Sequence, residues 1–318
     1  MSRLDRREFL AATALGGAAA LVGCATSAPA IPLKPFGGII DTHTHFYDPR
    51  RSEGVPWPSK DDAVLYRSVL PKEYGELAQP HGVVGTVVVE ASPWVEDNQW
   101  LLDLAERDPF IVGMVGNLKP GEPEFAAHLN RFARNSLFRG IRIGNDSLQQ
   151  AKPGSKVFED LRRLADLDLA LDVLIPPDQL PAAAQLGRDL PALRIIVDHC
   201  ANAPVGERPP NDWFGGLAAG HYADNVSIKV SGLVEGTGRR GGQAPTDPQA
   251  YLKVIDWLWR PFGEDRLIYG SNWPVCTHFA SYATVQRIVE SFFTGKGERV
   301  AAKYFRENAA NAYKFVKR

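Results

Sequence analysis

From residue 37 onward the chain alternates short β-branched runs with longer stretches carrying an apolar residue every third or fourth position. The opening run, Ile39-Ile40-Asp41-Thr42-His43-Thr44-His45, follows Gly37-Gly38 and stops before Tyr47-Asp48-Pro49. That pattern predicts a strand bounded by turn residues. Val83 to Glu90 is an almost unbroken valine run, as expected of a strand buried on both faces. Phe110–Val115, Phe138–Ile143, Leu169–Ile175, Arg194–His199, Val226–Val230 and Leu267–Tyr269 supply six more. Between them lie amphipathic helices. One carries Trp100, Leu101, Leu104 and Ala105, with Asp97 as cap and Pro109 as stop; another carries Phe125, Leu129 and Phe132. A third is striped by Val157, Phe158, Leu161, Leu164 and Ala165, and a fourth opens at Pro177-Asp178. Asp247-Pro248 opens a fifth and Ser281 caps the last long one. Eight strands with intervening helices predict an α/β fold, a (β/α)₈ TIM barrel, with a long loop after strand one around Pro56, Trp57 and Pro58. A doubly wound open sheet is the alternative. Strand one is not followed by a glycine-rich phosphate loop, which argues against that fold and against a nucleotide cofactor.

Residues 1–36 break this pattern. Asp5-Arg6-Arg7-Glu8-Phe9-Leu10 resembles a twin-arginine export signal, and the Ala11–Val22 run behind it is short and rich in alanine and glycine, a poor transmembrane helix. Leu21-Val22-Gly23-Cys24 looks like a bacterial lipobox. The expected organisation is a leader over 1–24 with Cys24 lipidated, a tether over 25–36 and a barrel over 37–318. The location that follows is the periplasm or cell envelope, with the membrane met only through the lipid anchor. Composition narrows the partners further. A net charge of -1, with 44% hydrophobic and 23% charged residues, gives no reason to expect nucleic acid and leaves a small-molecule substrate. Three cysteines are too few for a disulfide framework. Cys200 and Cys276 follow strands that are not neighbours and are expected as free thiols.

In a barrel the chemistry sits where strands end. Those ends carry His43 and His45, Glu90, Arg142, His199, Lys229 and Ser231, then Ser271 and Asn272. Strand alternation puts Asp41 on the face of His43 and His45, one step deeper, able to orient a ring. It sets Asp198 opposite His199, away from the site. Trp57, Trp94, Trp213 and Trp273 are candidate aromatic walls.

Four motifs resemble, in the same order, the amidohydrolase family 2 barrels: Ile40-Asp41-Thr42-His43-Thr44-His45-Phe46, Phe138-Arg139-Gly140-Ile141-Arg142, Val197-Asp198-His199 and Tyr269-Gly270-Ser271-Asn272-Trp273-Pro274-Val275. The similarity is greatest to the branch containing L-fuconolactonase and 2-pyrone-4,6-dicarboxylate lactonase. The resemblance implies a hydrolase that opens a small cyclic ester, with His43, His45, His199 and Asn272 as the catalytic set. It implies that His43, His45 and His199 hold one divalent ion, zinc or manganese, or grip the substrate carbonyl without metal. Arg142 would bind a substrate oxygen, with Glu90, Lys229 and His278 beside it. Two departures matter. Relatives with two ions carry a lysine on strand four and a histidine on strand five, where this chain has Arg142 and Ile175-Pro176; that argues against a two-metal centre. Asn272 stands where the lactonases have aspartate. An amide orients water but does not deprotonate it, and losing a general base costs about 10²- to 10⁴-fold. The base then falls to Glu90, His199, His278 or a metal-bound hydroxide. A decarboxylase of the same superfamily and a non-catalytic ligand-binding barrel are the competing readings.

Overall fold

The computed structural model describes residues 32–318, apart from 210 and 222. The expected leader, Cys24 and nearly all of the tether lie outside the described residues. The strands are β1 (Ile39–Thr44), β2 (Val83–Val89), β3 (Ile111–Gly116), β4 (Phe138–Gly144), β5 (Ala170–Leu174), β6 (Arg194–Val197), β7 (Val226–Val230) and β8 (Leu267–Tyr269). Each pairs in parallel with the next, in sequence order. β8 comes back to β1 through the parallel bridge between Thr44 and Trp273, where the His45 N–H donates to the Trp273 carbonyl at 2.9 Å. This is the (β/α)₈ barrel that the alternation predicts.

The helices follow the same order: α1 (Pro71–Ala78), α2 (Val95–Arg107), α3 (Phe125–Phe132), α4 (Lys156–Asp166), α5 (Leu180–Asp189), α6 (Asn211–His221), α7 (Gln249–Phe262) and α8 (Tyr282–Gly295). Ser281 caps α8, its hydroxyl accepting from the Thr284 N–H at 3.3 Å. Asp97 does not cap α2. That helix begins two residues earlier, and Asp97 lies in its first turn, bound to Arg51 at 2.6 Å. Pro177-Asp178 opens a short 3₁₀ turn before α5, not α5 itself.

Alternation divides the strand side chains between two cores. Ile39, Val88, Ile141, Leu171 and Val197 face the helices, whereas Ile40, Val87, Val89, Val112, Ala170, Ile196 and Ile268 fill the barrel. A final helix, α9 (Asn308–Tyr313), adds Ala309, Ala312 and Tyr313 to that inner core. It is pinned by Arg139 and Arg194, near the starts of β4 and β6, which donate to the Tyr313 and Ala312 carbonyls at 2.8 and 2.7 Å. The N-terminal mouth of the barrel is therefore plugged with apolar groups, and polar side chains collect at the other end.

Candidate active site

The two β1 histidines reach the barrel interior through an irregularity in the strand. Between its pairings with Thr86 and Val88, β1 advances from Asp41 to Thr44, three residues against two. A slip of one residue reverses which face a side chain takes. Asp41 consequently points outward and does not orient a ring, contrary to plain alternation. It accepts from the Tyr74 hydroxyl on α1 at 2.6 Å, the Ser271 N–H at 2.9 Å and the His43 N–H at 3.1 Å. Space for the rings comes from glycine. A Cβ at Gly270 would stand 2.8 Å from the His43 Cβ, and one at Gly232 would stand 2.7 Å from the His199 Cβ.

His45 has a defined protonation state. Its Nδ1 faces the Val89 and Glu90 carbonyls at 3.0 and 3.2 Å; carbonyls only accept, so Nδ1 carries the hydrogen. Burial, and then the Arg142 charge, lower its pKa to about 3, so the ring is neutral and Nε2 is a bare lone pair. That lone pair lies 3.3 Å from the Asn272 amide oxygen. The Asn272 Nδ2 donates to the Glu235 carboxylate at 2.9 Å. Asn272 has φ 58°, a left-handed conformation that asparagine adopts more readily than most residues.

His199 arrives by a different route. β6 ends at Val197, two residues before the expected end, and His199, Cys200, Ala201 and Asn202 follow with φ of 52°, 56°, 53° and 51°. Such a left-handed turn costs roughly 1–2 kcal/mol per residue, and its surroundings hold it. The Trp213 indole donates to the Cys200 carbonyl at 3.0 Å, and the Asn202 amide donates to the Ile175 carbonyl at 2.9 Å. Asp198 and His199 both face inward, by different means. Asp198 follows the inward Ile196 by normal alternation, so setting it opposite the site was an error. His199 is swung in by the turn, where its Nδ1 meets the Ser231 hydroxyl at 2.9 Å.

Beneath these groups lies a buried charge network. Lys229 is fully buried; its ammonium is 2.6 Å from Asp172 Oδ2, 3.0 Å from Asp198 Oδ1 and 3.1 Å from His43 Nδ1. The far side of Asp172 takes the Tyr313 hydroxyl at 2.8 Å. Burial raises Asp172 to about 6, against the pull of Lys229. For Asp198 burial acts upward as well, but Lys229, His43 and His199 outweigh it and hold the carboxyl well below its usual range. Burial and the Lys229 charge keep His43 neutral. Lys229 is thus not a substrate contact: it lies below the cavity and sets the charge of the site floor.

His43, Asp198 and His199 are the group among the described residues whose ligand-type atoms lie within 4.8 Å of one another. His45 is not part of it, so the three-histidine set is replaced. His43 Nε2 is buried without a hydrogen-bond partner among the described residues, and Asp198 is held by ion pairs, Oδ1 with Lys229 at 3.0 Å and Oδ2 with Arg142 at 4.0 Å. Donor types and spacing suit one divalent ion; the charge does not. Lys229 already places an ammonium 3.0 Å from Asp198 Oδ1 and 3.1 Å from His43 Nδ1, beside two of the three ligands, where it opposes a further positive charge. As they stand, these residues do not fit a resident ion.

A cavity of about 350 Å³ opens above, lined by His45, Trp57, Glu90, Arg142, His199 and Asn272 among others. Trp57 comes from the loop after β1, as the sequence suggests. Trp213 and Trp273 are buried and form no cavity wall, and Trp94 is exposed. Arg142 lines the cavity while gripping Glu90: Nε donates to Oε1 at 2.8 Å and Nη2 to the backbone carbonyl at 3.0 Å. Its Nη1 lies 4.0 Å from Asp198 Oδ2. Glu90 also accepts from the Ser92 N–H at 3.0 Å, which leaves it committed as a brace. His278 pairs with Asp62 at 2.8 Å and is not among the lining residues. Cys200 and Cys276 are both free and buried. Sequence reasoning missed Asp172, although a carboxylate inside the apolar run Ala170-Leu171-Asp172-Val173-Leu174 was a signal that a cation must face it. Glu235, in a loop after β7, gave no such signal.

An L-fucono-1,5-lactonase from Burkholderia ambifaria is 32% identical over 285 residues, covering 86% of this chain and 95% of that protein. A crystal structure of an amidohydrolase from Burkholderia multivorans with bound zinc aligns with a TM-score of 0.77 at 26% identity, over 88% of this chain and all of that one. A manganese-bound 5-carboxyvanillate decarboxylase from Novosphingobium aromaticivorans aligns at 0.61 and 16% identity, over 89% and 98% of the two chains, a likeness of fold alone. The amidohydrolase family model matches residues 40–315. With that match running from β1 to the end of the plug, the chain belongs to the amidohydrolase family.

Proposed function

We propose that this chain opens a sugar 1,5-lactone by adding water, and does so without a resident metal ion. The observation that carries the reading is the pair of acceptors at the cavity wall, His45 Nε2 and Asn272 Oδ1, 3.3 Å apart. Two lone pairs that close repel unless a donor sits against both, and a water molecule supplies one hydrogen to each. Its oxygen is then free to attack the lactone carbonyl. As the new C–O bond forms, the water proton passes to His45 Nε2; as the ring C–O bond breaks, that proton moves to the departing ring oxygen. The developing oxyanion is held by Arg142 and by His199, whose Nε2 carries hydrogen when the Ser231 hydroxyl donates to Nδ1. A buried imidazole whose pKa lies near 3 is a weak base, so the rate rests mainly on positioning. The lactonase relative supports the substrate class.

The test is hydrolysis of a panel of sugar 1,5- and 1,4-lactones, L-fucono-1,5-lactone included, before and after dialysis against a chelator. Turnover of a 1,5-lactone that survives chelation is expected. No turnover of any lactone would remove the lactonase reading, and a rate that collapses on chelation and returns with zinc or manganese would remove the metal-independent one. We propose further that the chain is exported and lipid-anchored. Arg6 and Arg7 direct twin-arginine export and Cys24 carries the lipid, so Cys24→Ala releases the mature protein from membrane fractions; a variant that stays bound has another anchor.

A further inference from the structure

Asn272 can face the cavity in two ways, and something must decide between them. With Oδ1 inward it helps His45 hold a water molecule. With Nδ2 inward it would donate to His45 Nε2 and fill the lone pair on which the chemistry depends. The neighbour on its other side is Glu235, whose Oε1 accepts from Nδ2 at 2.9 Å. The second carboxylate oxygen, Oε2, is buried without a hydrogen-bond partner among the described residues, so beyond the residue's own backbone N–H the carboxylate turns to Asn272.

We propose that Glu235 is a positioning residue for the hydrolytic water: its ionised carboxylate holds the Asn272 amide with Oδ1 turned to His45. The inference rests on the lactone-opening reading. A carboxylate can only accept, so it fixes which end of the amide it meets. A carboxylic acid can also donate; it would then satisfy Oδ1 and release Nδ2 toward His45, closing the water site. The groups around Glu235 add no cation to keep it ionised. Asn272 is neutral, and burial first, with the Glu235 charge adding to it, pushes Cys200, Cys276 and Tyr251 of α7 upward, Cys200 and Tyr251 to about 12. Arg239 acts on Tyr251. Burial raises Glu235 itself to about 7, which places the change between the two amide settings near neutrality. Activity should therefore be present above that value and lost as pH falls through it.

Rates on the best lactone are measured from about pH 6 to about pH 8.5, either side of the Glu235 value of about 7, with uncatalysed opening subtracted. The native protein should lose kcat below neutrality with KM little changed. Glu235→Gln does not titrate and, like the neutral acid, can donate as well as accept, so the acid limb should vanish and kcat should stay near the native low-pH level throughout. Glu235→Leu keeps no acceptor and should lower kcat at every pH, by up to about a hundredfold, as expected of a misplaced reactant. A flat native profile, a limb that survives in Glu235→Gln, or a Glu235→Leu protein as fast as native overturns the proposal. A second readout needs no substrate: the side-chain amide NMR signal of Asn272 should shift around neutrality in the native protein and stay still in Glu235→Gln. An amide that shifts in a protein opening no lactone would remove the lactonase reading and leave the Glu235 contact standing; an amide that does not shift removes the contact.

Discussion

The two halves of the barrel interior are built by the same strands and the same alternation, yet they hold opposite contents. Toward the N-terminal mouth, Ile40, Val87, Val112, Ile196 and Ile268 pack against Ala309, Ala312 and Tyr313 of α9. One or two residues further along those strands and their neighbours, the inward positions become His43, Asp172, Asp198 and Lys229, all fully buried. The lower half excludes water by filling space. The upper half is buried as well, but its charges must satisfy one another, because a buried ion without a partner costs several kcal/mol. Tyr313 joins the halves: its ring belongs to the plug and its hydroxyl reaches Asp172 at 2.8 Å. The lesson is that this site is supported from below by a hydrogen-bonded column, not merely placed on loops above an inert core.

The sharpest way to break that contrast is Lys229→Met, which turns the upper half apolar at one point. It leaves Asp172 and Asp198 facing each other without their shared cation, and should cost about 3–5 kcal/mol of stability by denaturant unfolding. A loss below about 1 kcal/mol would mean that the network is not ionised. Tyr313→Phe cuts the column at its base. Removing a donor to a buried carboxylate should cost about 1.5–3 kcal/mol, while kcat/KM, read on the same lactone, should hold within about twofold because the plug touches no cavity wall. Arg142→Lys tests the upper half alone. Lysine keeps the charge but not the planar fork shared by Glu90 and the substrate, so kcat/KM should fall at least about tenfold, or 1.4 kcal/mol; an unchanged value would leave Arg142 a brace for Glu90. The smallest effect should come from Ala201→Gly. Alanine at φ 53° is strained where glycine is not, so the variant should gain about 1 kcal/mol or less in thermal unfolding, with His199 undisturbed.

Much of this was legible in the order of residues. The valine run of β2 and the evenly spaced helices predict the barrel, and β7 and β8 begin and end where expected. His43, His45, Arg142, His199 and Asn272 do gather at the C-terminal mouth. The two misplaced aspartates share one physical cause: periodicity assumes a regular strand, and the site interrupts two of them. The slip in β1 turned Asp41 out of the barrel, and the early end of β6 swung His199 onto the inner face that Asp198 already takes by alternation. Glu235 escaped for another reason. It reaches Asn272 from a loop after a different strand, and no local pattern records a contact between residues that far apart in sequence.

The left-handed turn at His199–Asn202 also bears on how the molecule comes to be. Four consecutive left-handed residues, Cys200 and Ala201 among them, have little local tendency to form early. What holds it is the Ile175 carbonyl after β5, the Trp213 indole on α6 and, around Cys200, the Lys229 and Ser231 carbonyls of β7 and its end. His199 can take its place only after those later segments have docked. During folding the active site should therefore mature after the barrel has closed around it, and conservative changes in the turn should speed unfolding and leave the folding rate nearly untouched.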